Sequence, residues 1–126
     1  MRLTLIGVLL LAQTGFSMAQ INIVNKEVNG LTFKCRVAGN PTDEPVILLH
    51  GWPETGHLWA GLMGKLSAEG FYCIAPDQRG FSPQARPEKV KDYTIEVLAA
   101  DVIGIADAFG IRTFQLVGHD WGSAIG

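Results

Sequence analysis

The chain has 126 residues, enough for one domain, and 48% of them are apolar, which suits a globular protein with a buried core and argues against disorder. A formal net charge of −2 leaves no basic stripe for nucleic acid or for an acidic membrane surface, and no internal repeat or low-complexity tract is present.

Residues 1–19 differ in character from the rest. Arg2 precedes an apolar run from Leu3 to Ala12, and Ser17-Met18-Ala19 precedes Gln20, the layout of a secretory signal peptide with a small-x-small cleavage site after Ala19. The apolar run is well short of the roughly 20 residues needed to span a bilayer, so no stable membrane anchor is expected and the mature chain is expected to be secreted or periplasmic. In such an oxidising compartment Cys35 and Cys73 could pair. Each also sits in an apolar strand segment where a buried thiol is an ordinary occupant, and the sequence leaves both alternatives open.

Ile21 to Val28 and Leu31 to Ala38 flank Asn29-Gly30, a dipeptide suited to a two-residue turn, so a hairpin of antiparallel strands is predicted at a sheet edge. In its second strand Leu31, Phe33, Cys35 and Val37 alternate with Thr32, Lys34 and Arg36, giving one buried and one wet face. After a polar loop, Val46 to Leu49 is apolar at every position, as a central strand buried on both faces is. Trp59, Leu62, Met63 and Leu66 then recur at helical spacing before Gly70, and Phe71 to Ala75 reads as the next buried strand. Pro76 to Lys91, rich in proline and charge, is expected to be a surface loop. A helix is predicted from Thr94, its N-cap, with Leu98, Val102, Ile105 and Phe109 as the buried stripe and Gly110 closing it. Thr113 to Val117 is the last strand. Strands alternating with helices imply an α/β fold: a three-layer sandwich with a mostly parallel sheet and an antiparallel edge.

That last strand runs at once into Gly118-His119-Asp120-Trp121-Gly122, a Gly-x-Asp-x-Gly sequence. The pattern Gly-x-Ser-x-Gly marks a strained strand-to-helix corner that exposes a nucleophile, and here the apex is a carboxylate, with Gly118 and Gly122 as the small flanking residues. An ionised Asp needs no base before it attacks carbon to form an ester. Upstream, His50-Gly51-Trp52-Pro53 follows the central strand directly. Gly51 allows close backbone approach and Pro53 fixes the chain direction, so the amides of Trp52 and Trp121 can form the two donors of an oxyanion hole. His50 reads as a residue that shapes this loop by hydrogen bonding, and Asp77 and Arg79 as braces of the loop that carries them. No spacing of His, Cys or carboxylates suggests a metal site, and no cofactor is expected.

Taken together, the Asp-centred elbow, the His-Gly-x-Pro loop and Asp77-Gln78-Arg79-Gly80 resemble the aspartate-nucleophile branch of the α/β-hydrolase family, and most of all its epoxide hydrolases. The resemblance covers residues about 21 to 126 and identifies 20–126 as the N-terminal part of an α/β-hydrolase domain, truncated after the elbow. It implies a hydrolase that opens an epoxide, or a similar small apolar electrophile, to a diol through an ester on Asp120. The histidine, its acid partner and the cap tyrosines of the family are absent from these residues, so little or no turnover is expected from them alone. Haloalkane dehalogenases usually carry Asn at the position of Trp52, which disfavours that activity; a dehalogenase, another hydrolase of this fold and a non-catalytic ligand-binding member are the alternatives. Nothing in the sequence fixes an oligomeric state.

Overall fold

The computed structural model describes residues 20–126, so the signal-peptide reading of residues 1–19 lies outside the described residues. Five strands, β1 (Asn22–Val28), β2 (Leu31–Ala38), β3 (Glu44–Leu49), β4 (Phe71–Pro76) and β5 (Gln115–Gly118), form one sheet in the order β1-β2-β4-β3-β5. The hairpin turns on Asn29 (φ 52°) and Gly30 (φ 77°), both left-handed, as a two-residue turn matched to strand twist requires. β2 also runs antiparallel to β4, whereas β3 is parallel to both β4 and β5. The register pairs Leu49 with Gly118 and Ile47 with Ile74; continued by two residues, the latter brings Pro76 beside Leu49. The three parallel strands therefore end level, and the loops after them emerge together.

Alternation along β3 sends Ile47 and Leu49 to one face and Val46 and Leu48 to the other, which is why every position is apolar. On the first face α2 (Ile95–Ala108) packs Val102 and Ile105 against Phe33 and Ile74, and α3 (Trp121–Ile125) adds Ile125. On the second, α1 (Ala60–Ala68) buries Met63 against Cys73 and Ala75, with Trp59 and Leu66 half-buried beside it and Leu62 turned outward. Thr94 caps α2 through its hydroxyl, which accepts from the Val97 amide at 3.4 Å. The three-layer α/β arrangement is as the sequence predicts, although β5 begins two residues later than expected and is largely exposed.

Two expectations are settled differently or for the first time by this packing. Cys35 points into the α2 face and Cys73 into the α1 face, so the sheet itself separates the thiols and both are free. The connection after β4 is not a simple surface loop, because Asp77, Gln78, Ser82 and Ala85 are buried. β4 pairs only with Cys35–Ala38 of β2, leaving the polar groups of the strand's first half in need of partners. The loop supplies them: Ser82 Oγ accepts from the Lys34 amide at 2.8 Å, Thr32 pairs with Gln84, and the Lys34 carbonyl accepts from the Asp77 amide at 2.8 Å.

The loop is tied to α2 by a bidentate ion pair, Arg79 Nε and Nη2 to Asp101 at 2.6 and 2.8 Å, with side chains only 8% and 4% exposed. Asn29 at the hairpin turn donates to the same carboxylate at 3.0 Å, so one acid joins three segments. Removing one member of such a pair leaves the other charge buried and alone. Asp101→Ala is expected to lower the unfolding free energy by about 3 to 5 kcal/mol, read from urea denaturation curves.

Candidate active site

At the level where β3, β4 and β5 end, the chain departs in three loops: His50 to Pro53, Asp77 to Gly80, and the corner at Asp120. Asp120 has φ 56° and ψ −121°, outside the left-handed helical well as well as the ordinary regions, a conformation that costs on the order of 1–3 kcal/mol and persists only when its surroundings enforce it. The surroundings are glycine. A Cβ on Gly118 would lie 2.7 Å from the carbonyl group of Gly122, and one on Gly122 would collide with the Leu49 carbonyl oxygen and lie 2.9 Å from that of His50. Without side chains at both positions the strand can enter the corner and α3 can leave it against the end of β3.

Gly51 meets the elbow from the other side. A Cβ there would lie 2.6 Å from Asp120 Oδ2 and 2.9 Å from Cγ, so only hydrogen lets the nucleophile candidate lie against this backbone. The next amide, Trp52 N–H, donates to Asp120 Oδ2 at 3.0 Å, and the Trp52–Pro53 peptide is cis. The Asp120 side chain is solvent-exposed, yet its carboxyl is held below the usual carboxylate range, first by the Trp121 amide and then by that of Trp52, with His119 adding a smaller favourable charge. Of the two amides, that of Trp52 makes the hydrogen bond to the apex carboxylate, and that of Trp121 favours its charge.

His50 is fully buried, and both its ring nitrogens are engaged: Nε2 accepts from the Gln78 amide at 2.9 Å, so Nδ1 carries the proton, 2.9 Å from the Gly51 carbonyl. Its ring stands edge-on to Phe81 at 5.0 Å. Burial pushes the His50 pKa down despite the Gly51 carbonyl and the nearby Asp77 and Glu54, so the ring stays neutral. Asp77 braces the loop from below, accepting from Arg36 Nη1 at 2.5 Å and from the Gly56 amide at 2.8 Å, while Arg79 is turned away to Asp101. Both act as the sequence reading expects. What that reading misses is Gln78, whose side-chain amide also donates to the His50 carbonyl oxygen; with the partners 28 positions apart, no local spacing announces it.

Beside the elbow opens a cavity of about 180 Å³, walled largely by Phe81, Tyr93, Leu98, Trp121 and Ile125. Trp52 and Trp121, the residues whose backbone amides act on the Asp120 carboxylate, are themselves 69% and 54% exposed. Among the described residues no cluster of three or more His, Cys, Asp or Glu side chains could hold a metal ion, and no helix is long and apolar enough to cross a membrane.

A corner glycine–x–carboxylate–x–glycine at the end of a parallel strand is one observation; the match of residues 44–126 to the alpha/beta hydrolase fold family is the deciding one. The chain belongs to that family. Within it, this α/β-hydrolase is 38% identical over 99 residues to epoxide hydrolase A of Mycobacterium tuberculosis, a match covering 79% of this chain and 31% of that protein. It is 38% identical over 108 residues to epoxide hydrolase 3 of Siraitia grosvenorii, covering 86% and 34%. Among solved structures, epoxide hydrolase A from Mycobacterium thermoresistibile superposes with a TM-score of 0.81 at 34% identity, over 84% of this chain and 33% of that one. The chain spans about a third of the length of the relatives it matches.

The neutral, buried His50 has a stability consequence. Its folded-state pKa lies below the unfolded value of 6.5, so the unfolded chain binds the extra proton first, and stability present above that value is lost progressively as pH falls through it toward the folded pKa. Urea unfolding followed from about pH 8 to about pH 5 is expected to show this decline, with a shallower slope in His50→Gln.

Proposed function

We propose that this chain carries the nucleophile side of an epoxide-hydrolase active site. Asp120 attacks an epoxide carbon through one carboxylate oxygen; the ring C–O bond breaks, its electron pair goes to the ring oxygen, and that oxygen takes a proton from an acid. The product is an ester of Asp120 with a β-hydroxyalkyl group. Water then adds to the ester carbonyl, a base taking its proton, and collapse releases the diol and restores the carboxylate.

The observation that carries this reading is the amide of Trp52 on Asp120 Oδ2. When the other oxygen bonds to substrate, Oδ2 becomes the ester carbonyl oxygen, and it gathers negative charge when water adds. A donor already in place there acts where charge develops rather than where it begins, and each such donor is typically worth about 2.7 to 4 kcal/mol of barrier. The depressed pKa of Asp120 supports the first step, since the carboxylate is ionised throughout the neutral range. The apolar, aromatic-walled cavity alongside supports a small apolar substituent on the epoxide.

His50 is not the base of the second step, because both its nitrogens are engaged. By the resemblance, that base, its acid partner and the acid that protonates the ring oxygen belong to parts of the family's fold that follow the elbow. The signal-peptide layout at the N-terminus supports an exported protein.

In the whole protein, Asp120→Ala is expected to lower kcat for diol formation from styrene oxide by at least about 10⁴-fold. Acid-quenched mass spectrometry of the unmutated protein should find one epoxide-derived mass on the peptide containing Asp120; its absence, or halide release from haloalkanes exceeding diol formation, would overturn the assignment. Gly51→Ala, which drives a methyl group into the Asp120 carboxylate, should cost about 10²-fold in kcat while far-UV circular dichroism is unchanged.

A further inference from the structure

Gln78 is the second residue of Asp77-Gln78-Arg79-Gly80, where the first and third side chains have ionic partners and the second has none. In the fold it is 8% exposed and makes two separate bonds to one residue. Its backbone amide donates to His50 Nε2 at 2.9 Å, and its side-chain amide donates to the His50 carbonyl oxygen. Any residue at this position could make the first bond. The second needs a side-chain donor, and it ends on a carbonyl that also lies at the elbow, 2.9 Å from where a Gly122 Cβ would stand.

His50 is two residues from the amide that meets Asp120, and the intervening Gly51 lies so near the Asp120 side chain that a Cβ on it would clash. Gly51 has no side chain to anchor it, so the path of this short segment is set at its start by His50 and pinned at its end by Pro53. We infer that Gln78 is a positioning residue: by clasping His50 at ring and carbonyl, it fixes the Trp52 N–H against Asp120 Oδ2. The clasp joins the loop after β4 to the loop after β3, and through it the elbow after β5.

The inference rests on the proposed reaction for its catalytic meaning, but its geometry can be tested without substrate. The whole protein, labelled with ¹³C at aspartate carboxyls, is titrated by NMR as Gln78→Met, which keeps length and loses the donor, and as Gln78→Leu, which also loses the donor and adds no titrating group. The Asp120 midpoint is expected to start below the ordinary value of about 3.9 in the unmutated protein and to rise toward it in both variants, since the Trp52 donor moves away while His119 and the Trp121 amide remain. With epoxide substrate, kcat should fall about 10- to 100-fold with KM nearly unchanged. Folded variants whose Asp120 titrates as in the unmutated protein would overturn the inference, leaving Gln78 a structural residue only. Should neither variant fold, hydrogen exchange in the unmutated protein decides it: the Gln78 side-chain amide and the Trp52 N–H should open in one event with equal protection, and unequal protection would overturn it. A wrong substrate class would abolish the kinetic readout and leave the titration as expected, so the two failures are distinguishable.

Discussion

One backbone hydrogen bond, from Trp52 N–H to Asp120 Oδ2, spans 68 residues of sequence and joins the ends of two neighbouring parallel strands. Nearly everything else at this end of the sheet serves to make it possible. The register that sets Leu49 beside Gly118 brings both loops to one level. The bare backbones of Gly51, Gly118 and Gly122 let them touch, and the buried imidazole of His50 holds the approach from beneath.

The cost of the arrangement is concentrated at one residue. Asp120 sits in a backbone conformation that a side chain avoids, and the compensation is spread over the packing of β5 and α3 against β3 and over amide donors that favour its charge. The supporting ion pairs lie farther back. Arg36 with Asp77 and Arg79 with Asp101 are deeply buried, and each acid accepts a further bond from a separate segment, the Gly56 amide or the Asn29 side chain. Such pairs contribute little net stability against an apolar replacement, but they hold segments in one arrangement when every partner is present.

Much of this was legible in the residues alone, wherever the cause is local. Asn29-Gly30 demands its turn, the run Val46 to Leu49 demands two apolar faces, and the glycines around Asp120 announce a tight corner. The rest depends on register. Whether Cys35 and Cys73 share a face follows from the register that sets Ala38 opposite Cys73, and the stretch from Asp77 to Ala85 is drawn inward because β4 covers only half of β2; no pattern within either segment encodes those pairings. Gln78 is the same case at the site itself, a residue whose partner becomes visible only when two loops are brought together.

The separation of the thiols has a chemical corollary for a protein proposed to handle electrophiles. Burial lifts Cys35 to about 12 and Cys73 to about 11, and each is enclosed on its own side of the sheet. Sulfur attacks as thiolate, a form nearly absent at such values, so a strained-ring alkylating agent entering the molecule finds these softer nucleophiles sealed off and chemically silent. Both thiols are thereby withdrawn from stray alkylation, and the exposed Asp120 carboxylate at the strand corner stands apart from them as the nucleophile of the proposed reaction.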